Sequence, residues 1–528
     1  MDVLLLCPPL VNPTKTWRYC PYHTWKFSFT EEDHGYSGSN LSLGYLASSL
    51  RGNGYSVKII DAYLRNYTIA ETIKKVLKEK FLVLGITIMS HVNMVDAITI
   101  IKQLRVRGLE THITLGGYYP TIKHNEILKK YLYIDSIVRG EGEITLPLMV
   151  EKIKKGESLN TILGISFREK NKIIINRDRP LIENLDLLPF PARDDINFEM
   201  KKGFVPGICS SRGCFFNCTF CSISSFYKNL CGTNWRARSA KNTVDEIDYL
   251  INSWKLKKIK FVDAEFIGGS KIGKRRAREI ANEIISRGLD VKFMIDCRAD
   301  NVDKKLFSHL KKAGLKKVYL GVESGTQRIL NLYKKNVTVR QNKKAVFILR
   351  KLGITPIAGC IVFDPFANLN EIWKNYLFFR KIKCFDLYRF SRGLIPFEGT
   401  PIFDQLKKIG LITYSFPDHT YNFASYPIRV LFKTLNEYSQ QTYVVEKKYK
   451  KIFLEKFSRA EILENKLMFK IFEKRLNNMH YNFFEKVYRI IKSNNDNIDN
   501  KELQAIIKVT IAKIESYFIN ILNSLENQ

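Results

Sequence analysis

The sequence predicts an α/β fold in three parts, on three observations. From Met1 to about Leu185, short apolar runs alternate with helical patterns, as in a doubly wound, Rossmann-like sheet. From about Arg193 to Leu411, strand–helix units repeat six times, which suits a partial (β/α)6 barrel. From Ile412 to Gln528, the pattern is mainly helical and rich in Tyr, Phe, Lys and Asn. A chain of 528 residues has room for several domains of about 150 residues. The expected divisions are 1–185, 193–411 and 412–528.

In the first region, Asp2-Val-Leu-Leu-Leu-Cys-Pro-Pro reads as a buried strand stopped by Pro8 and Pro9. Leu41 to Gly52 reads as a helix, Tyr55 to Asp61 as a strand, and Ala70 to Lys80 as a helix. Phe81 to Met89 is a strand, too short to span a membrane. Met94 to Arg107 is a helix, His112 to Gly117 a strand opening into a turn, Tyr133 to Arg139 a strand, and Glu143 to Lys155 its helix. In a sheet of this kind ligands bind at the carboxyl ends of the strands. The turns there are Cys7 to Asn12, Ser90-His91-Val92, Gly116 to Thr121 and Arg139 to Glu143.

The second region has candidate strands at Phe204 to Ile208, Lys257 to Asp263, Val291 to Asp296, Lys317 to Glu323, Ile357 to Asp364 and Phe385 to Phe390. Polar residues gather where these strands end: Asp263 and Glu265, Arg298, and Glu323-Ser324. The third region opens with a loop holding Pro417 and Pro427 and carries no known motif. Its aromatics read as core, and its position makes it the candidate for capping the substrate cavity.

Within the second region lies Cys209-Ser-Ser-Arg-Gly-Cys214-Phe-Phe-Asn-Cys218-Thr-Phe-Cys221. Cys214, Cys218 and Cys221 can wrap one small cluster from a single tight loop. Three thiolates leave one iron of a [4Fe–4S] cube open, because a closed site needs four. An open position marks a reaction site rather than a structural one. A zinc knuckle needs a second ligand pair, and none follows. Ten cysteines in 528 residues are too few for a disulfide scaffold, and Met1 to Leu6 opens no secretory signal.

The Cys-x-x-x-Cys-x-x-Cys spacing, with Phe220 before the last cysteine, resembles the radical S-adenosylmethionine (SAM) superfamily. The resemblance implies that SAM chelates the open iron through its amine and carboxylate and is split to a 5′-deoxyadenosyl radical. The backbone next to Phe220 would then lie against adenine. Glu323, Ser324, Asp263 and Glu265 would meet the ammonium or ribose, and Arg298 would pair with the carboxylate. A ring of salt bridges closing the barrel mouth is the competing account of these residues. Phe363-Asp-Pro-Phe-Ala-Asn-Leu-Asn-Glu371 departs from the commoner Gly-x-Pro-Gly-Glu-Thr.

The first region resembles the cobalamin (B12)-binding domain that precedes many radical SAM enzymes. Leu43-Gly-Tyr-Leu-Ala47, Gly116-Gly117 and Gly140-Glu-Gly-Glu143 carry the likeness. Paired glycines let a corrin or its nucleotide tail press on bare backbone. The resemblance implies cobalamin contacts at Ser90, Gly116, Gly117, Thr121 and Glu141. The Asp-x-His-x-x-Gly motif of a lower axial histidine is absent, since Asp33-His34-Gly35 has the wrong spacing. His91 is the alternative histidine for the lower face, against an ordinary polar role in a loop.

A net charge of +33 invites a nucleic-acid reading, but the excess is spread along the chain. The expected function is therefore a cobalamin-dependent radical SAM enzyme that C-methylates an unactivated carbon. The alternatives are a cyclisation, rearrangement or epimerisation in which cobalamin donates no methyl group, and RNA modification of the methylthiotransferase kind. The last needs further cluster cysteines near the amino terminus, where only Cys7 and Cys20 stand. Expected partners are a small-molecule, lipid or peptide substrate and a reductant such as flavodoxin or ferredoxin, in a reducing cytoplasm.

Overall fold

Strand β1 (Val3–Cys7) is five apolar residues, all buried, and it lies between two parallel neighbours. Val3 faces both Val57 of β2 (Val57–Asp61) and Val83 of β3 (Val83–Thr87). Burial on both faces is why β1 and β3 read as unbroken hydrophobic runs. β4 (His112–Gly116) and β5 (Ser136–Val138) continue the parallel order, and β6 (Ile165–Glu169) and β7 (Lys172–Ile175) close the sheet antiparallel. The spatial order is β2-β1-β3-β4-β5-β6-β7. Met94, Ile100 and Ile127 pack on one face; Leu43, Ala47 and Met149 pack on the other. The computed structural model describes residues 1–10, 38–385, 387–457, 465–494 and 498–526; Cys20 and Asp33-His34-Gly35 fall outside them.

Local chemistry sets the helix ends. Asn40 caps the helix Leu41–Gly52 by accepting the N–H groups of Ser42 and Leu43. Thr68 and Glu71 form a reciprocal capping box, as do Thr338 with Gln341 and Asn368 with Glu371. Two features differ from expectation. Gly116 to Thr121 is more than a turn, because the helix Tyr118–Lys130 starts directly after Gly117. The β6–β7 hairpin adds two strands that were not expected, and its backbone reverses at Lys170, whose φ is +53°.

The second sheet is parallel and has five strands. After β8 (Gly207–Ile208), the short antiparallel pair β9 (Ser211–Gly213) and β10 (Trp235–Ala237) stands apart from it. β11 (Lys258–Phe261), β12 (Lys292–Arg298), β13 (Leu315–Glu323) and β14 (Thr355–Cys360) complete the order β14-β13-β12-β11-β8. Of the run expected as a strand from Phe204, only Gly207 and Ile208 pair. The sixth expected strand, Phe385 to Phe390, is corrected by the helix Leu387–Phe390. Its aromatic residues serve the third region: Phe385 meets Tyr481 and Phe390 meets Phe484. A single parallel bridge from Phe363 to Gly393 continues the strand order.

Beyond the barrel, β15 (Ile412–Ser415) and β16 (Asp418–Tyr421) form a hairpin, followed by the helices Tyr426–Lys456, Lys466–Asn494 and Asn500–Glu526. These helices share one continuous core with the barrel. Tyr438 stacks on Phe483 at 3.6 Å, and Trp373 on Tyr488 at 4.7 Å. The segment before β15 and the hairpin itself also bind the first region. The hydroxyls of Tyr118 and Tyr119 donate to the Glu398 backbone carbonyl and carboxylate, and Lys130 donates to the Phe416 carbonyl. No helix among the described residues is long and apolar enough to cross a membrane.

Candidate active site

The carboxyl ends of β3, β4 and β5 face the opening turns of the barrel across a cavity of about 440 Å³. Its wall on the first sheet includes Met89, Gly116, Gly117 and the turn Gly140–Glu143. Its wall on the barrel includes Cys209, Arg212, Gly213, Phe226, Tyr227 and Asp263. Gly117 has φ +98°, and a Cβ there would sit 2.7 Å from the Ile88 carbonyl oxygen. At Gly142 a Cβ would sit 3.0 Å from Leu46. This cradle of bare backbone fits a broad, flat ligand such as a corrin.

The residues expected at the corrin divide. Gly116, Gly117 and Glu141 line the cavity; Ser90 and Thr121 do not. Ser90 is buried at the start of the helix His91–Val106 and donates to Asn93. Thr121 lies one turn inside its helix, where its hydroxyl donates to the Gly117 carbonyl and accepts the Gly140 N–H at 3.1 Å. It therefore ties two cavity turns together from behind. His91 is corrected as a candidate for the lower face. Its ring points to β16, 4.1 Å from the His419 ring, and it is absent from the cavity wall.

The cysteine loop starts on β9. Gly213 has φ +83°, and a Cβ there would fall 1.7 Å from the Asn234 carbonyl oxygen, so the backbone reversal requires glycine. The Cys214 N–H donates to that same carbonyl at 3.1 Å, and the Cys221 N–H donates to Cys218 at 3.2 Å. Burial pushes the Cys214 thiol up to about 12, and the thiols of Cys221 and Cys218 push in the same direction. Burial also raises Cys218, against the pull of Lys335 and Arg298. Thiols that oppose one another's ionisation and sit beside two cations gain most when iron takes the negative charge. Among the described residues no three His, Cys, Asp or Glu side chains form a cage for a single ion. A four-iron cube places each thiolate on its own iron, so the loop needs no shared point. The donor set fits the cluster.

Around the loop, the Arg298 guanidinium lies 3.9 Å from Cys218 Sγ and 3.5 Å above the Phe216 ring, with Asp300 bonded to it twice. Phe220 leans on Tyr333 at 4.9 Å. Glu323 adopts φ +61° and accepts Lys335 Nζ at 2.9 Å. The other expected SAM contacts are engaged within the protein. Asp263 accepts the N–H groups of Ser210 and Ser211 and the Ser210 hydroxyl, at 2.6–2.7 Å. Glu265, pushed up to about 7 by burial, accepts the Arg298 N–H at 2.7 Å and Asn301 at 3.1 Å. Ser324 is bonded to Thr326 and Asn375. For these three the geometry is that of a closing ring; for Glu323 and Arg298 it is that of groups beside the cluster loop.

Sequence reasoning missed Lys335. It is buried between Glu323 and Cys218, although Lys334-Lys335 reads as a solvated pair. Cys209, which precedes the Gly213 reversal, donates to the Ser211 carbonyl at 3.3 Å. Cys7 is buried beside Asn40 at the end of β1.

A model of the radical SAM superfamily matches residues 208–379, and a model of the B12 binding domain matches residues 33–150. An uncharacterised methyltransferase of Pyrococcus horikoshii is 32% identical over 373 residues, which cover 70% of this chain and 79% of that one. The anaerobic magnesium-protoporphyrin IX monomethyl ester cyclase of Rubrivivax gelatinosus is 29% identical over 334 residues, covering 61% of this chain and 58% of the cyclase. Among solved structures, a cobalamin-dependent S-adenosylmethionine radical enzyme with aqua-cobalamin bound superposes with a TM-score of 0.74. The identity is 20%, over 99% of this chain and 80% of that one. The fold and site define a radical SAM enzyme with a B12-binding domain. This chain belongs to that cobalamin-dependent, methyltransferase-like family, whose cofactors are a [4Fe–4S] cluster, SAM and cobalamin.

Proposed function

We propose that the protein methylates an unactivated carbon of its substrate. One observation carries the reading: a single cavity is walled on one side by the glycine turns of the B12-binding domain and on the other by β9, the strand that leads into Cys214. When bound, the cofactors supply a 5′-deoxyadenosyl radical and a methyl group. Cys214, Cys218 and Cys221 would hold the cluster, with Arg298 and Lys335 offsetting its negative charge. Glu323, steadied by Lys335, would accept the SAM ammonium. Gly116, Gly117 and the Gly140–Glu143 turn would seat the corrin, while Tyr118, Phe226 and Tyr227 exclude water from the space between. The carboxyl-terminal helices would shape the approach of a small-molecule, lipid or peptide substrate. A flavodoxin or ferredoxin would supply electrons, and the setting would be a reducing cytoplasm.

Anaerobic turnover with candidate substrates tests this. Methylation predicts S-adenosylhomocysteine, 5′-deoxyadenosine and a product in which one methyl group replaces one hydrogen, a net gain of CH2. Deoxyadenosine without homocysteine would transfer the reading to cyclisation, rearrangement or epimerisation, the first being the reaction named for the Rubrivivax relative.

A further inference from the structure

Two arginines of the barrel and two glutamates of the B12-binding domain form one buried network. Arg212 donates to Glu141 at 3.1 Å and to Glu143 at 2.5 Å. Arg236, directly opposite Arg212 in the β9–β10 pair, donates to both oxygens of Glu141 at 2.8 and 3.0 Å. Glu141 also accepts the Ile182 N–H, and the Arg212 guanidinium sits 5.0 Å from the Tyr45 ring. All four charges are at least 89% buried, two of each sign. Charge-assisted bonds in so dry a place hold their groups in one geometry.

The placement matters more than the strength. Glu141 precedes and Glu143 opens the helix Gly142–Lys155, both on the wall of the corrin cavity, and Arg212 lines the same wall. Arg212 is also two residues before Cys214, and the constrained Gly213 between them leaves the backbone little freedom to absorb a shift of β9. Whatever fixes the Gly140–Glu143 turn therefore fixes the start of the cysteine loop.

We propose that Arg212 is a positioning residue that couples corrinoid binding to the geometry of the cluster loop. The proposal rests on the corrinoid occupying this cavity and needs no particular reaction or substrate. A corrinoid seated on the turn orders β9 in advance, so the cluster and SAM then bind with less ordering left to do. Linkage makes the effect reciprocal: the assembled cluster must tighten the corrinoid by the same factor.

The test is hydroxocobalamin affinity, measured on the full chain before and after anaerobic reconstitution with iron and sulfide, in wild type, Arg212→Gln and Glu143→Gln. Wild type is expected to bind the corrinoid about tenfold more tightly once reconstituted, within the usual range of coupling. In Arg212→Gln the two affinities should agree within about twofold, and Glu143→Gln should fall between. A merely structural arginine would weaken both affinities and leave their ratio unchanged, which overturns the proposal. A wild-type ratio near one overturns it as well. If Arg212→Gln does not fold, a Glu143→Gln ratio equal to wild type is the overturning result. Because no turnover is measured, failure here is distinct from failure of the methylation reading.

Discussion

Lys335 Nζ lies 2.9 Å from the Glu323 carboxylate beside the cysteine loop, with Lys335 buried and Glu323 partly so. Glu323 holds a left-handed backbone, and a Cβ at Gly321 would come within 2.8 Å of Lys335 Nζ. The pair thus fixes a carboxylate at the mouth of the barrel against the pull of its own conformation. Removing one member of a buried pair strands the other. Lys335→Met should lower stability by about 3 kcal/mol and weaken SAM binding, whereas Lys335→Met with Glu323→Gln should recover much of the stability. A denaturant double-mutant cycle with SAM titrations checks both.

Two glycines separate the two halves of the site. Gly117→Ala forces a Cβ onto the Ile88 carbonyl and should abolish corrinoid uptake while iron content falls by no more than the loss of coupling to the corrin. Gly213→Ala forces one onto the Asn234 carbonyl and should cost most of the iron while corrinoid uptake is reduced far less. Metal analysis and corrinoid absorbance on each purified variant read out the contrast.

Glu265 makes stability depend on pH in a set direction. Burial raises its carboxyl from the ordinary 4.5 to about 7, so between these values the folded chain holds a proton that the unfolded chain has lost. Its contribution is greatest below about pH 4.5, falls as pH rises, and is exhausted above about 7, a loss on the order of 3 kcal/mol. Asp61 and Asp296, both pushed up to about 6, act in the same sense. Glu265→Gln should therefore flatten only part of the slope of unfolding free energy across this window.

The carboxyl-terminal aromatics act as core. Phe483→Ala removes the 3.6 Å stack on Tyr438 and should cost about 3–5 kcal/mol in chemical unfolding, with cluster assembly retained in the folded fraction.

How much of this was legible depended on the range of the interactions. Buried parallel strands such as β1 and β3 announce themselves, because every residue must be apolar. The cysteine loop is equally plain, since its chemistry is contained in eight consecutive residues. The segment Phe385–Phe390 misled because its aromatic residues suit a strand, yet Tyr481 and Phe484, about a hundred residues away, claim them. Ser90 and Thr121 stand near the right turns, but their hydroxyls are taken up by Asn93, Gly117 and Gly140, and periodicity carries no information about rotamers. Lys335 and the Arg212 network were invisible for a related reason. Their meaning lies in partners from other strands and from the other domain.

The central claim is that one chain houses a radical-generating cluster and a corrin on either side of one cavity. The most direct test is the variant Cys214→Ala/Cys218→Ala/Cys221→Ala, assayed anaerobically for 5′-deoxyadenosine from SAM and for hydroxocobalamin binding. The account predicts no deoxyadenosine above background together with retained corrinoid binding, weakened by no more than the loss of coupling to the cluster. Deoxyadenosine formation that survives the three substitutions would contradict it.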